Sequence, residues 1–329
     1  MSSSVSANLP RIGSPDSAVW HQPVMREEVI RLLAPQAGRI YLDGTLGGGG
    51  HSKSLLAAGA RVVALDRDRA ALAEAGARLA CFGDRFLGVH TNFADAPENP
   101  AVLAAAPFDG ALLDLGVSSH QLDTPARGFS FRHDGPLDMR MDDSSGEPAA
   151  DLVNSASEAD LARIFREYGD EPHARRAARA IVAERARVPF ARTGQLAALL
   201  ERILPRRSRI HPGTRVFQAL RIVVNDELGA LRCALESFPS LLRSGARFVV
   251  ITFHSLEDRL VKSVFRAGSE QWLDRPEWPA PRPNPAWRFR DLTRKPLEAS
   301  EGELQSNPRA RSARMRAVEM LSGQQEVAV

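Results

Sequence analysis

Lysine is nearly absent from this chain, occurring only at Lys53, Lys262 and Lys295 among 43 basic residues. The rest are arginines, whose planar forks suit bidentate contacts to phosphate and stacking on bases. An arginine- and alanine-favouring codon usage yields the same excess. Net charge is only +3, so charge alone leaves a nucleic-acid partner open. Cysteine is equally scarce: Cys81 and Cys233 cannot build a zinc-finger site and do not suggest a disulfide framework. No run approaches the roughly 20 apolar residues needed to cross a bilayer, which argues against a membrane partner. Residues 1–17 are rich in serine and small side chains and lack the basic-then-apolar layout of a secretory signal. Residues 1–20 are therefore expected to be a disordered lead-in, and the setting cytoplasmic. What is present, 43% hydrophobic and 25% charged residues over 329, is an ordinary globular composition with room for one large domain or two.

From about residue 39 to 115, short apolar runs alternate with helical stretches. Strands are expected at Arg39–Asp43, Arg61–Asp66, Phe86–Val89 and Gly110–Asp114, with helices after the first two. Continuous apolar strands separated by helices indicate a parallel sheet covered on both faces. Three of these strands end in a carboxylate, at Asp43, Asp66 and Asp114. Ligands of open α/β sheets bind at the carboxyl ends of strands, so a site is expected there.

Between the first strand and its helix lies Asp43-Gly44-Thr45-Leu46-Gly47-Gly48-Gly49-Gly50-His51-Ser52. Glycines permit a tight turn and close backbone approach, and a helix N-terminus offers free N–H groups. The run matches neither the Gly-x-Gly-x-x-Gly fingerprint nor a P-loop. Asp66, at the next strand end, is placed to accept hydrogen bonds from ribose hydroxyls. Together they indicate a nucleoside cofactor and leave NAD and S-adenosylmethionine both open. Ser118 and Ser119 do not form a hydrolase elbow, because His120 stands where Gly-x-Ser-x-Gly needs glycine. His51, His211 and His254 lack paired metal-ligand spacing, and Asp138, Asp142 and Asp143 read as a solvated acidic loop.

After Asp114 the alternation stops. Gly128, Gly135, Pro136, Gly146 and Pro148 mark a loop, and three helices follow: one capped by Ser157 and Asp160, one from near Pro172, one carrying Leu196, Leu199, Leu200 and Ile203. Residues 123–212 read as an inserted all-helical domain, and 21–122 with 213–322 as the α/β domain. Phe217, Leu220, Val224, Leu228, Leu231 and Leu235 then predict one long amphipathic helix. Arg247–Phe253 is a fifth strand, followed by a helix capped by Ser255 and Asp258. Six prolines in residues 275–296 make an irregular connection, and Arg311–Glu319 supplies the last strand.

The order of these motifs resembles the bacterial small-subunit ribosomal RNA methyltransferase family called RsmH, formerly MraW. The resemblance runs from His21 to Glu319. It rests on Tyr41–Gly47 with Gly49–Ser52, Leu65–Asp68, Leu113–Ser119, Gln121–Asp123, Arg127–Phe131, Pro136–Asp142, Phe217–Ile222, Phe253–Arg259 and Asn307–Arg309. Departures fall at His120, Gly213 and Thr252, of which His120 alone neighbours the implied cofactor residues. The resemblance implies a doubly wound, Rossmann-like class I methyltransferase sheet with an inserted helical domain. It further implies S-adenosyl-L-methionine as cofactor and, as product, a decoding-site cytosine of 16S rRNA methylated at N4. Gly50, His51, Ser52, Asp66, Phe93, Asp114 and Gln121 are then the cofactor contacts, with Phe93 on adenine and Asp66 on the ribose.

A cytosine amine is a poor nucleophile because its lone pair is spread into the ring. An acceptor on its N–H localises that pair, and Asp114, or a backbone carbonyl of residues 115–119, is the candidate catalytic group. The base must also leave its stack to present that amine. Arg206, Arg207, Arg209 and Arg215, and Arg309, Arg311, Arg314 and Arg316, are candidate grips on an RNA backbone. Three other readings are a methyltransferase acting on another nucleic acid or a small molecule, an NAD-dependent dehydrogenase, and a non-catalytic RNA-binding module.

Overall fold

A computed structural model describes residues 23–206 and 211–322; the expected lead-in, Arg207 and Arg209 lie outside the described residues. Strands β1 (Ile40–Asp43), β2 (Arg61–Asp66), β3 (Phe86–His90), β4 (Phe108–Asp114) and β5 (Leu242–Thr252) pair in parallel, in the order β3-β2-β1-β4-β5. Past β5 come two short strands, β6 (Trp272–Leu273) and β7 (Arg282–Pro283), which pair only with each other. Next are β8 (Phe289–Asp291), β9 (Leu297–Glu298) and β10 (Arg314–Met320). β10 runs antiparallel to β5 on one side and to β8 and β9 on the other, so β8 and β9 form the sheet's far edge. Alternate side chains of each parallel strand enter opposite cores, as the two-residue period requires. Leu42, Val63, Leu65 and Leu113 pack in one, while Tyr41, Val62, Ala64 and Leu112 pack in the other. The sheet is doubly wound, as the alternation of elements implied.

Helices α1 (Arg26–Leu33), α2 (Gly50–Ala57) and α3 (Arg69–Leu79) cover one face. After β3 come α4 (Pro100–Ala105) and, past β4, α5 (Ser119–Asp123). The helical unit holds α6 (Ala149–Ser155), α7 (Glu158–Glu167), α8 (Ala174–Arg185) and α9 (Thr193–Ile203). Ser157 caps α7 as expected, accepting from the Asp160 N–H. The unit has its own core around Leu161, Phe165, Ile181 and Leu200, joined by Val216, Phe217, Ala219 and Leu220 of α10 (Thr214–Val224). Packing of the helical unit thus extends one helix beyond residue 212.

The single amphipathic helix expected across Phe217–Leu235 is two, α10 and α11 (Glu227–Leu241). Both bury an apolar stripe, so the three-and-four spacing runs unbroken through the break. The break itself is made by polar contacts. Asp226 sits in the left-handed region at φ 46, and the buried Asn225 side chain accepts from the Met141 N–H (2.8 Å) and donates to the Met139 carbonyl (2.7 Å). The last long helix, α12 (Ser255–Ser269), is capped one residue earlier than expected: His254 Nδ1 accepts from the Glu257 N–H, and Glu257 reaches back to the His254 N–H. A short helix, α13 (Glu301–Ser306), precedes β10.

Candidate active site

The strand ends of β1, β2 and β4 open into a cavity of about 620 Å³, closed on its far side by Met141 of the helical unit and by Arg221, Glu227, Phe253 and Glu257. Its floor is the glycine turn. Gly47 has φ +48, which its lack of a Cβ makes cheap, and its N–H donates to Asp66 Oδ2 at 2.8 Å. Gly49 precedes α2 with φ +78 and no side-chain cap, leaving the N–H groups of the first turn without a capping acceptor. Asp66 Oδ1 accepts from the Asp68 N–H at 2.8 Å. Burial pushes the Asp66 carboxyl up to about 6, against the opposing pull of these two N–H donors.

Of the three strand-end carboxylates, Asp66 and Asp114 line the cavity and Asp43 does not. Asp43 is buried behind the turn, where Oδ1 accepts from the Thr45 N–H (3.1 Å) and Oδ2 from the Ser52 hydroxyl (2.7 Å). That bond also relocates Ser52: its side chain is fully buried and braces Asp43, off the cavity wall. The remaining expected residues, Gly50, His51, Asp66, Phe93, Asp114 and Gln121, all lie on the wall. Gln121 is itself tied, accepting from the Ser118 N–H (3.0 Å) and donating to Asp68 (2.9 Å). His120, the departing residue, stands on the wall 3.5 Å from Glu74.

Two polar groups beside the turn are buried without hydrogen-bond partners. His51 Nε2 stands 3.4 Å from Asp114 Oδ2, off hydrogen-bond geometry, and neither ring nitrogen is paired. Asp114 Oδ1 is unpaired as well, although the Asp114 N–H is anchored to Thr45 Oγ1 at 2.7 Å. Unpaired buried polar atoms are costly and fit a ligand that brings its own donors and acceptors. An amino-acid head with an ammonium suits Asp114; a pyrophosphate there would face a carboxylate. The residues therefore fit S-adenosylmethionine better than a dinucleotide.

Sequence reasoning missed the far wall. Arg221 donates through Nε and Nη2 to both oxygens of Glu227, at 2.7 and 2.8 Å, across the α10–α11 break. Glu257 accepts from the Phe253 N–H at 2.7 Å and lies 3.0 Å from His254 Nε2. Burial pushes Glu257 up, but the hydrogen bond and charge of His254, the Phe253 N–H and Arg221 outweigh it and hold the carboxyl below its usual range. Ligand atoms of Glu227, His254 and Glu257 all lie within 4.8 Å of one another. The guanidinium of Arg221 already serves Glu227 there as its cation. Among the expected RNA-gripping arginines, Arg316 is buried and bidentate to Asp258 (2.7 and 3.3 Å), hence structural. Arg314 pairs with the same carboxylate, Arg215 donates to the Asp170 carbonyl, and Arg309 pairs with Asp123 on the cavity wall. Arg206 and Arg311 are exposed.

A doubly wound sheet with an antiparallel strand beside β5, and a strand-end cavity whose unpaired Asp114 suits an ammonium, is that of an S-adenosylmethionine-dependent methyltransferase. Within that class, the chain belongs to the MraW methylase family, whose model matches residues 18–321. Similar proteins include the ribosomal RNA small subunit methyltransferase H of Syntrophotalea carbinolica, 54% identical over 92% of this chain and 98% of its own. The enzyme of the same name from Anaeromyxobacter sp. strain K is 52% identical over the same shares. Among solved structures, an rRNA methylase from Streptococcus thermophilus aligns over 90% of this chain and 94% of its own, at 11% identity and a TM-score of 0.41. That likeness is too slight to add to the fold.

Proposed function

We propose that this enzyme methylates the N4 amine of a decoding-site cytosine in 16S rRNA, acting in the cytoplasm on the small ribosomal subunit or its RNA. The observation that carries this reading is the near full-length likeness to relatives named as small-subunit rRNA methyltransferases. No described helix is long and apolar enough to cross a membrane. S-adenosylmethionine supplies a methyl group already activated on a sulfonium.

The chain's task is to hold and orient. Asp66, with both oxygens aimed by backbone N–H groups, takes the ribose hydroxyls, and Phe93 lies against adenine. Gly50 and His51 present the uncapped turn of α2 to the amino-acid carboxylate, while Asp114 takes the ammonium and Gln121 packs alongside. Ser52 acts one step back, through Asp43. On the acceptor side, Asp114 or a backbone carbonyl of residues 115–119 holds an N4 proton. The nitrogen lone pair would then form the N–C bond while the S–C pair returns to sulfur, which would leave as S-adenosylhomocysteine, and the N4 proton would pass to Asp114 or to water.

The test is transfer of labelled methyl from S-adenosylmethionine to small subunits lacking the modification, with mass mapping of the product. Label on one decoding-site cytosine is the expected result. A protein that binds cofactor yet labels no ribosomal RNA overturns the substrate assignment.

A further inference from the structure

We infer that Arg221 is the residue that selects cytosine, its free Nη1 donating to the pyrimidine N3; this rests on the cytosine-N4 reading above. A cytosine whose amine faces Asp114 turns its ring N3, an acceptor, toward the surrounding wall. That wall must offer a donor. Uracil carries N3–H in the same place, so a fixed donor meets a donor and the wrong base is left with an unpaired buried group.

Arg221 lines the same cavity as Asp114, and its side chain is only 17% exposed. Glu227 clamps Nε and Nη2, leaving Nη1 with no protein partner among the described residues. A guanidinium fixed through one edge is a planar donor whose other edge is already aimed, so little side-chain entropy is lost on binding. Of the other arginines on the wall, Arg309 pairs with Asp123 and Arg78 with Glu74. Arg67 donates Nη1 to the Asn225 carbonyl at 2.8 Å and keeps a buried, unpaired Nε, but it follows Asp66 directly and so belongs to the β2 side of the cavity.

The scaffold around Arg221 ties it to the reacting end of the cavity. Glu257, which faces Arg221 electrostatically, holds the Phe253 N–H. The Phe253 ring packs under Gly116, where an added Cβ would stand 3.3 Å from it, two residues beyond Asp114. The helix break is what returns Glu227 to Arg221: Asp226 at φ 46 starts α11 directly after α10 ends. A continuous helix would leave residues 221 and 227 about 120° apart around its axis and about 9 Å apart along it, because six residues turn about 600° and rise about 1.5 Å each.

The experiment measures methyl transfer on small subunits assembled with either cytidine or 3-deazacytidine, which lacks the N3 acceptor, at the target position. Arg221→Met is expected to lower kcat/KM on cytidine by about 5- to 150-fold, the range for one good base contact. Its cofactor affinity should match the wild type, while its unfolding temperature should fall because Glu227 loses its buried partner. The wild type should lose a comparable factor on 3-deazacytidine, and Arg221→Met should lose nothing further, so that the two changes do not add. Additive losses, or a wild type indifferent to the deaza substrate, overturn the inference. Should Arg221→Met misfold, the wild-type deaza comparison can still overturn the inference, and Arg221→Lys, which keeps a cation beside Glu227 without the planar donor edge, replaces it in the comparison. A wild type inactive on unmodified subunits instead overturns the N4 reading on which it rests.

Discussion

Asp66→Asn separates the role of the ribose carboxylate from every other titrating group. In the wild type each oxygen of Asp66 already accepts one backbone N–H, from Asp68 and from Gly47, and keeps a lone pair for a ribose hydroxyl. Asparagine offers one acceptor oxygen and turns an NH2 toward one of those N–H groups. With hydrogen bonds to charged groups worth about 1.5–3 kcal/mol each, the loss should be about 2–4 kcal/mol, roughly 30- to 1000-fold in Kd for S-adenosylmethionine. The pH dependence is the sharper test. The folded carboxyl is raised from 3.8 to about 6, so in the free enzyme Asp66 gains a proton as pH falls through about 6. Wild-type Kd should be flat above that value and rise by up to about tenfold per unit below it.

Stability of the free protein moves the other way. An acid with a raised folded pKa stabilises the folded state below its unfolded value and loses that contribution as pH climbs from 3.8 to about 6. Here that amounts to about 3 kcal/mol. Calorimetric titration of both proteins between pH 5 and 8, with thermal unfolding between pH 4 and 7, gives both curves. Asp66→Asn should lack both slopes. Equal affinity of variant and wild type, or parallel pH profiles, would refute the assignment of Asp66 to the ribose.

Other perturbations test neighbouring parts of the site. Asp114→Asn should slow methyl transfer by about 10²- to 10⁴-fold, the range for a lost proton acceptor; normal cofactor binding together with the wild-type rate removes that role. Asn225→Ala strands the Met141 N–H and the Met139 carbonyl, costing roughly 2–6 kcal/mol. Its unfolding midpoint should fall accordingly, and an unchanged midpoint would show that the helical unit is held by other contacts. RNA affinity should fall steeply with salt through phosphate contacts of exposed arginines such as Arg311. A salt-independent affinity measured by filter binding would exclude them.

Locally encoded features were readable in advance. Uninterrupted apolar runs placed β1, β2, β4 and the end of β5, because a strand buried on both faces has no polar alternation to obscure it; β3, at the sheet's edge, keeps an apolar run although it is partly exposed. The glycine turn and Asp66 were legible for the same reason: turn geometry and strand ends are set by residues near one another in sequence. Where two local signals compete, the reading slipped. His254 rather than Ser255 caps α12, since the box with Glu257 is one residue out of phase with the more familiar serine. Two strands, β7 and β8, were hidden in the proline-rich connection because they are only two and three residues long.

By itself, then, the sequence determined a doubly wound sheet, a run of helices after β4, and a glycine turn set against the Asp66 carboxylate. Tertiary structure alone decided which polar residues are ligands and which are braces. Asp43 and Ser52 satisfy each other behind the turn, and Arg316 is spent on Asp258. Arg127 crosses from the helical unit to Asp68, at 2.7 Å. Arg221 and Glu227 meet only because the chain breaks at Asn225, through bonds to residues more than eighty positions earlier. A hydrogen bond between distant segments leaves no period in either one, so the far wall of the cavity became visible only once the chain was folded.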